Sequence, residues 1–340
     1  MASASQSPKP SPEHIFDVLT AFQNSAALKA AIELDIFTAI AEGADSANAI
    51  AERVDASERG VRILCDYLTI QGLLAKGDDC YALTQESAIF LDRRSPGYMG
   101  TVAGFLVSER SKKQFDLLTE AVRRGGTVAA QGDNTKPNDE LWVSFARSMA
   151  PLTTGSAAFI AELIGVKERM PSKVLDVAAG HGMFGITIAK ENPNAQIVAL
   201  DWAPVLQVAR ENAEHAGVTS QVTFRPGSAF ETEFGEGYDA VLLTNIFHHF
   251  DPPACEKLMR RVHAALKPAG RAITLEFVPN EDRVTPPLAA GFSLIMLAAT
   301  DSGDAYTLSE YEKMFANAGF RRTTLHPVPD MPQQVLVSEK

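Results

Sequence analysis

The sequence lacks any apolar run long enough to cross a membrane. Its longer runs, such as LIMLAA at 294–299, fall far short of the roughly 20 residues a spanning helix needs. Cysteine is scarce as well. Cys65, Cys80 and Cys255 are too few and too scattered for a disulfide framework or a cysteine-based zinc site, and each reads as a small core hydrophobe. Basic charge is in deficit, with a formal net charge of −11, which opposes non-specific attraction to phosphate backbones. There is no secretory signal core in MASASQSPKPSPEH, and its Ser, Pro and Ala content reads as a disordered lead over residues 1–12. These absences predict a cytoplasmic protein that engages neither membrane nor nucleic acid.

What is present suits an ordinary globular chain. Its 340 residues, 46% of them hydrophobic, can bury a substantial core in two domains by the usual ~150-residue prior. Residues 14–42 carry apolar positions at helical spacing on Ala-rich sequence and predict one or two packed helices. SANAIAERV and ASERGVRILCDYLTIQGLL predict two more, and AKGDDCYALT predicts two short strands about a turn at Gly77-Asp78-Asp79. Helix, turn, helix and hairpin make a winged helix. Its second helix bears Glu58, Arg59, Arg62 and Asp66, a mixed face without the Lys and Arg concentration that DNA contacts require. A dimerisation or substrate-covering module fits better. Helical stretches at about 97–123 and 139–165 follow, with a loop between them marked by Gly, Asn, Asp and Pro.

From residue 173 the pattern becomes strand, loop, helix, repeated, which predicts a doubly wound α/β fold with a parallel sheet covered on both faces. RRTTLHPV and QQVLVSE predict an antiparallel hairpin at its edge. Ligands of such sheets bind beyond the carboxyl ends of the strands.

The first strand end is VLDVAAGHGMFG at 174–185, with Gly180, Gly182 and Gly185 in the spacing G-x-G-x-x-G. Glycines there let backbone approach a ligand, and the following helix N-terminus presents free N–H groups to an anion. The same pattern also suits a tight turn with no ligand. Asp201 ends the second strand, 21 residues past Gly180, where a carboxylate accepts both ribose hydroxyls of an adenosine; capping the next helix is its alternative use. Trp202 packs on that adenosine or serves the core. Ser228, Ala229 and Phe230 end the third strand, placed to flank an adenine. At the fourth, LLTNIFHHFDPP, Asp251 before two prolines is a helix N-cap, and His248 and His249 stand at the mouth of the site. No Cys, Asp or Glu lies at ligand spacing from the histidines, so no metal is expected.

At these residues the chain resembles the S-adenosylmethionine-dependent methyltransferases, and within them the small-molecule O-methyltransferases that include plant caffeic acid and acetylserotonin O-methyltransferases and bacterial polyketide-tailoring enzymes. The likeness covers about residues 14–335. It rests on VLDVAAGHG, LDWAPV, RPGSAFE, NIFHHFDPPACEKLMRRVHAALKPAGRAITLEF and GDAYTLSEYEKMFANAGF. The resemblance implies a class I methyltransferase domain at 166–340, a winged-helix dimerisation domain at 13–96 and linking helices at 97–165 that line the pocket. It implies S-adenosylmethionine as cofactor, held at the loop Ala178 to Gly182, with Asp201 on the ribose and Ser228, Ala229 and Phe230 around adenine. Met149 and Thr153 would reach it from above, and Asp176, Trp202, Thr244 and Asn245 complete the expected set.

His248 matches the family's general base and Glu276 the acid that orients it. His249 stands where many members have Asp. The loop has Ala178-Ala179-Gly180 where relatives begin Gly-Gly-Gly, Ser228 stands where an adenine-side Asp is often found, and Ala305 stands at a second family glutamate, with Asp304 adjacent as a substitute. Phe292 and Met296 suit a flat apolar acceptor, although Met and Phe at helical spacing also serve cores. The resemblance further implies a homodimer acting on a small phenolic or hydroxylated metabolite. C-methylation and cofactor-assisted hydroxylation or decarboxylation stay open on the same fold. So, from other classes, do a dinucleotide-dependent oxidoreductase and a non-catalytic winged-helix regulator.

Overall fold

The computed structural model describes residues 10–129, 139–165 and 172–340. Residues 1–9 of the expected lead, 130–138 of the predicted loop and 166–171 at the start of the expected catalytic domain lie outside the described residues. The chain folds as two compact units, Met1–Val107 and Ser108–Lys340.

In the first unit, residues 14–42 form three helices rather than one or two: Glu13–Thr20, Phe22–Glu33 and Ile36–Ala41. The second break falls at Asp35, whose left-handed φ of 62° no α-helix can continue through. Helices Ala47–Arg53 and Glu58–Ile70 follow. Each starts at a serine cap, Ser46 Oγ accepting from the Ala49 N–H and Ser57 Oγ from the Gly60 N–H. They lead into an antiparallel hairpin, β1 (Leu74–Gly77) and β2 (Cys80–Leu83). Its turn residues Asp78 and Asp79 are both left-handed, with φ 49° and 63°, the type I′ geometry that matches the twist of a two-residue hairpin. Ile36, Phe37, Ile50, Val61, Cys65 and Leu68 fill the core beneath.

In the second unit, helices Glu109–Asp116 and Leu118–Arg124 precede Asp139–Met149 and Thr154–Leu163. The stretch expected as helical over 139–165 is interrupted by a 3-10 turn at Ala150–Thr153, because Pro151 has no N–H to extend the helical ladder. The main sheet follows with β3 (Lys173–Val177), β4 (Gln196–Asp201), β5 (Val222–Pro226), β6 (Tyr238–Thr244), β7 (Leu266–Glu276), β8 (Arg322–Pro327) and β9 (Gln334–Glu339). Their spatial order is β5-β4-β3-β6-β7-β9-β8. Pairing is parallel from β5 through β7, whereas β9 runs antiparallel to both β7 and β8.

Two apolar layers clamp this sheet. Leu175, Val198 and Val241 face Leu258, Met259 and Phe315, while Val174, Ile197 and Leu242 face Phe184, Ile186 and Ile160. The alternation is the period-2 consequence of a pleated strand. Asp176 falls on the second face with no solvent exposure, beneath the helix Met183–Glu191. The chain builds β3, β4 and β5 outward in one direction, then returns to place β6 on the other side of β3. That reversal opens a crevice beyond the carboxyl ends of β3 and β6, where doubly wound sheets take their ligands.

Gly185 is where this helix meets the sheet. A Cβ there would lie 2.7 Å from Ile197 Cγ2 and 3.3 Å from Asp176 Oδ2. Gly185→Val is therefore expected to destabilise the second unit by about 1–3 kcal/mol through overpacking. Thermal unfolding should show a midpoint lowered by several degrees, and an unchanged midpoint would mean the helix can shift without cost.

Candidate active site

The loop after β3 is shaped by left-handed backbone. Ala178, Gly180 and Gly182 have φ of 55°, 57° and 73°. Alanine carries a cost of about 1–2 kcal/mol in that conformation that glycine does not, so Ala178 adopts the backbone that the family's first glycine suits. Most of the loop's amides are already donated internally. Ala179 N–H goes to Leu200 O (3.1 Å) and Gly182 N–H to Ala179 O (2.8 Å). Gly180 N–H goes to Asp201 Oδ2 (2.8 Å), and Met183 N–H to His181 Nδ1 (3.1 Å). Gly185 N–H, in the first turn of the helix, goes to Asp176 Oδ2 (3.3 Å). The expectation of free N–H groups for an anion is narrowed by these bonds: the amides of Ala179, Gly180, Gly182, Met183 and Gly185 are already donated within the protein.

Asp201 closes the loop from the end of β4. Its second oxygen accepts from the Trp202 N–H (2.7 Å). The carboxylate caps no helix; Trp202 holds the N-cap position of Ala203–His215, without a side-chain cap. Burial pushes the Asp201 carboxyl up to about 6, against the two amides that favour its ionised form. Burial likewise pushes Asp176 up to about 7.

These strand ends surround an open cleft. Of the expected cofactor residues, Ala178, Gly180, Asp201 and Trp202 line it from β3 and β4, and Ser228, Ala229, Phe230, Thr244 and Asn245 line it from β5 and β6. Ser228 Oγ accepts from the Phe230 N–H (3.2 Å). Asn245 is left-handed at φ 56°, and its Oδ1 accepts from Gln333 Nε2 (3.1 Å). Asp176, Met149 and Thr153 are not on the wall. Asp176 lies buried beneath the loop, and Thr153 is turned onto its own 3-10 turn, donating to Ala150 O (2.7 Å). Among the described residues that form the wall, none is Lys or Arg, and the one carboxylate is Asp201.

Sequence reasoning missed several wall residues, chiefly Trp142, Phe145, Phe184 and Phe250, and took in His181 only as part of the loop Ala178 to Gly182. The i, i+3 spacing of Trp142 and Phe145 was the available signal for a shared helix face; their rings meet edge to face at 5.7 Å. His249 also lines the cleft, its ring edge-on to Trp142 at 5.3 Å. Burial, then the neighbouring His248, lowers its basicity well below that of an ordinary histidine.

His248 and Glu276 lie beside the cleft rather than on its wall. A 3-10 turn, Phe247–His249, carries the histidines off the end of β6. Glu276 ends the neighbouring β7 with no solvent exposure. Its Oε1 accepts from the backbone N–H groups of Ile246 (2.9 Å) and Phe247 (2.8 Å), and its Oε2 lies 2.5 Å from His248 Nδ1. A carboxylate oxygen is an acceptor, so His248 Nδ1 carries the proton and Nε2 holds the free lone pair. Gly303 packs on this turn so closely that a Cβ would strike the His248 carbonyl. Phe292 sits edge-on to His248 at 4.8 Å and stacks on Phe277 at 3.9 Å. Met296 is buried in the same helix, Pro287–Ala299. Asp304, the candidate for the missing second glutamate, is engaged elsewhere, accepting from Arg283 Nη1 (3.4 Å) and the Ala305 N–H (2.8 Å).

Among the described residues no group of three or more His, Cys, Asp or Glu side chains is placed to hold a metal, and no helix is long and apolar enough to cross a membrane.

Residues 147–321 match the O-methyltransferase domain family and residues 16–93 the O-methyltransferase dimerisation domain. The chain belongs to the S-adenosylmethionine-dependent O-methyltransferase family. It is 30% identical over 325 residues to the tetracenomycin polyketide synthesis 8-O-methyl transferase of Streptomyces glaucescens, covering 94% of this chain and 95% of that one. A Nostoc punctiforme crystal structure provisionally described as an O-methyltransferase shares 48% identity with a TM-score of 0.93, over 98% of this chain and 100% of that one. Human N-acetylserotonin methyltransferase in complex with S-adenosylmethionine has the same fold, with a TM-score of 0.85, 24% identity and 99% of each chain covered.

In this O-methyltransferase the cleft fits such a cofactor by its donor set: an acid for hydroxyls, apolar and aromatic walls, and no cation to oppose a sulfonium. The raised Asp201 carboxyl sets a pH dependence. Its hydroxyl-accepting, ionised form predominates above about 6 and is lost as pH falls. Calorimetric affinity for S-adenosylhomocysteine should be full at pH 7.5 and drop by up to about tenfold per pH unit below 6. A flat profile from pH 8 to 5 would separate Asp201 from the ligand.

Proposed function

We propose that the protein methylates a hydroxyl of a small aromatic metabolite, with His248 as general base. The observation that carries this reading is the Glu276–His248 pair, buried at the edge of a cleft of the O-methyltransferase family. Asp201 would accept the ribose hydroxyls, Trp202, Ala229 and Phe230 would enclose the adenine, and the loop from Ala178 would hold the methionine portion. The bound cofactor supplies an electrophilic methyl on a sulfonium.

The chain's own residues then do four things. The aromatic walls exclude water, which strengthens alignment of acceptor and methyl donor. Phe292, held by its stack on Phe277, presents a flat apolar surface beside His248, with Met296 behind it, and this favours a planar acceptor. His248 Nε2 takes the hydroxyl proton as the new oxygen–carbon bond forms. A phenol at about 10 and an imidazole at about 6.5 are matched closely enough for that transfer to accompany bond formation. Glu276 fixes the tautomer and favours the imidazolium that results, the orienting role carboxylates have beside catalytic histidines. The Streptomyces glaucescens relative is an 8-O-methyl transferase of polyketide synthesis, which supports a small-molecule hydroxyl as the acceptor.

The apolar side chains Ile15, Phe16, Val18 and Leu19 are each more than 60% exposed on the first helix, and with the dimerisation-domain match they support a homodimer. Sedimentation at micromolar concentration should report twice the chain mass; a monomer there would overturn this.

His248→Ala is expected to lower methyl transfer to phenolic acceptors by about 10²–10⁴-fold while leaving cofactor affinity unchanged. Glu276→Gln is the sharper variant. Its amide oxygen can still accept from Ile246 and Phe247, but its NH₂ then meets His248 Nδ1 as a donor and forces the proton to Nε2. The loss of kcat should approach that of His248→Ala at a near-normal melting temperature. Undiminished transfer by either variant would remove the pair from the reaction.

A further inference from the structure

His181 has no assigned role, yet it is the polar side chain that the loop after β3 contributes to the cleft wall. It is 5% exposed. Its ring packs against Phe184 at 5.9 Å, and its carbonyl accepts from Asn212 Nδ2 (2.8 Å), which ties the loop to the helix Ala203–His215. The Met183 N–H donates to its Nδ1, so Nδ1 holds the lone pair and the neutral ring must carry its proton on Nε2. Burial keeps it neutral by lowering it to about 4. The ring's remaining hydrogen-bonding group is therefore an N–H donor at all physiological pH values.

The methionine portion of S-adenosylmethionine ends in a carboxylate that needs donors. No Lys or Arg lines the described wall, and the amides of Ala179, Gly180, Gly182 and Met183 are already donated within the protein. We propose that His181 Nε2–H binds the cofactor's α-carboxylate and so selects ligands that keep the amino-acid tail. The ammonium of that tail is excluded as its partner, because both would be donors. This assignment rests on the cofactor reading above.

The test is calorimetric titration of the full chain with S-adenosylhomocysteine and with its decarboxylated analogue, which differs only in lacking the carboxylate. Wild type should bind the former at least about tenfold more tightly, the scale of a hydrogen bond to a charged group. His181→Phe should lose that preference while binding the decarboxylated analogue as wild type does. Equal weakening of both ligands, or a preference kept intact in the variant, would overturn the assignment and leave the cofactor reading standing. Failure of wild type to bind either ligand would instead sink the cofactor reading and this assignment with it. If His181→Phe does not fold, wild-type protein labelled with ¹⁵N-histidine serves. A downfield, exchange-protected Nε2–H resonance of His181 should appear with S-adenosylhomocysteine and not with the analogue, and the same spectrum with both would overturn the assignment.

Discussion

A carboxylate without solvent must be surrounded by donors, and Glu276 is surrounded by three. Two of them are the consecutive backbone amides of Ile246 and Phe247, and the third is His248. Leaving such a charge unpaired would cost several kcal/mol, so the turn after β6 has little freedom to move away from the end of β7. The parallel register of β6 with β7, through Thr244 and Leu275, brings the two strand ends level and makes this closure possible. Position and protonation of the histidine thus follow from one buried acid, and the acid's own place follows from the sheet.

The loop after β3 shows the complementary economy. A glycine-rich strand-to-helix turn usually binds phosphate because its amides are unpaired. Here Asp201 reaches back to Gly180, Asp176 reaches up to Gly185, and His181 folds onto Met183. Two acids and an imidazole from the protein occupy places that a pyrophosphate would otherwise take. The result is a cleft whose wall, among the described residues, carries one carboxylate and no Lys or Arg. The same G-x-G-x-x-G spacing therefore serves opposite charge preferences, and what decides between them is where neighbouring side chains send their hydrogen-bonding groups.

This explains what could and could not be read in advance. The alternating strands and helices from residue 173, the acid at the end of β4, the histidines after β6 and the Asp251 cap, whose Oδ1 accepts from the Ala254 N–H (2.9 Å), follow from local pattern. Each depends on short-range spacing, which the chain carries on its face. The left-handed turn at Asp35 was illegible because aspartate is only tolerant of that conformation and does not require it. Pro151 is a legible break, since it lacks the N–H that a helix interior needs. The bonds of the Ala179 and Gly180 amides are illegible for a deeper reason: they need the loop after β3 to meet the end of β4, a contact set by sheet order rather than by neighbours in sequence. Trp142 and Phe145 were read past because an aromatic pair on one helix face fits a core as well as a cleft.

The adjacent histidines divide the site. His249 turns to the cleft wall and Trp142, while His248 turns to Glu276 and Phe292. Their rings are 4.3 Å apart, so both cannot be protonated together without strong repulsion, and burial keeps His249 neutral. A neutral ring on the wall is compatible with a nearby sulfonium, whereas an imidazolium there would oppose it. In-line methyl transfer requires the base to stand on the acceptor's side, away from the sulfur. The 3-10 turn sends the two rings to different neighbours, His248 to Glu276 and His249 to Trp142. The position after His248 can therefore hold a second histidine, provided it never competes with its neighbour for the proton.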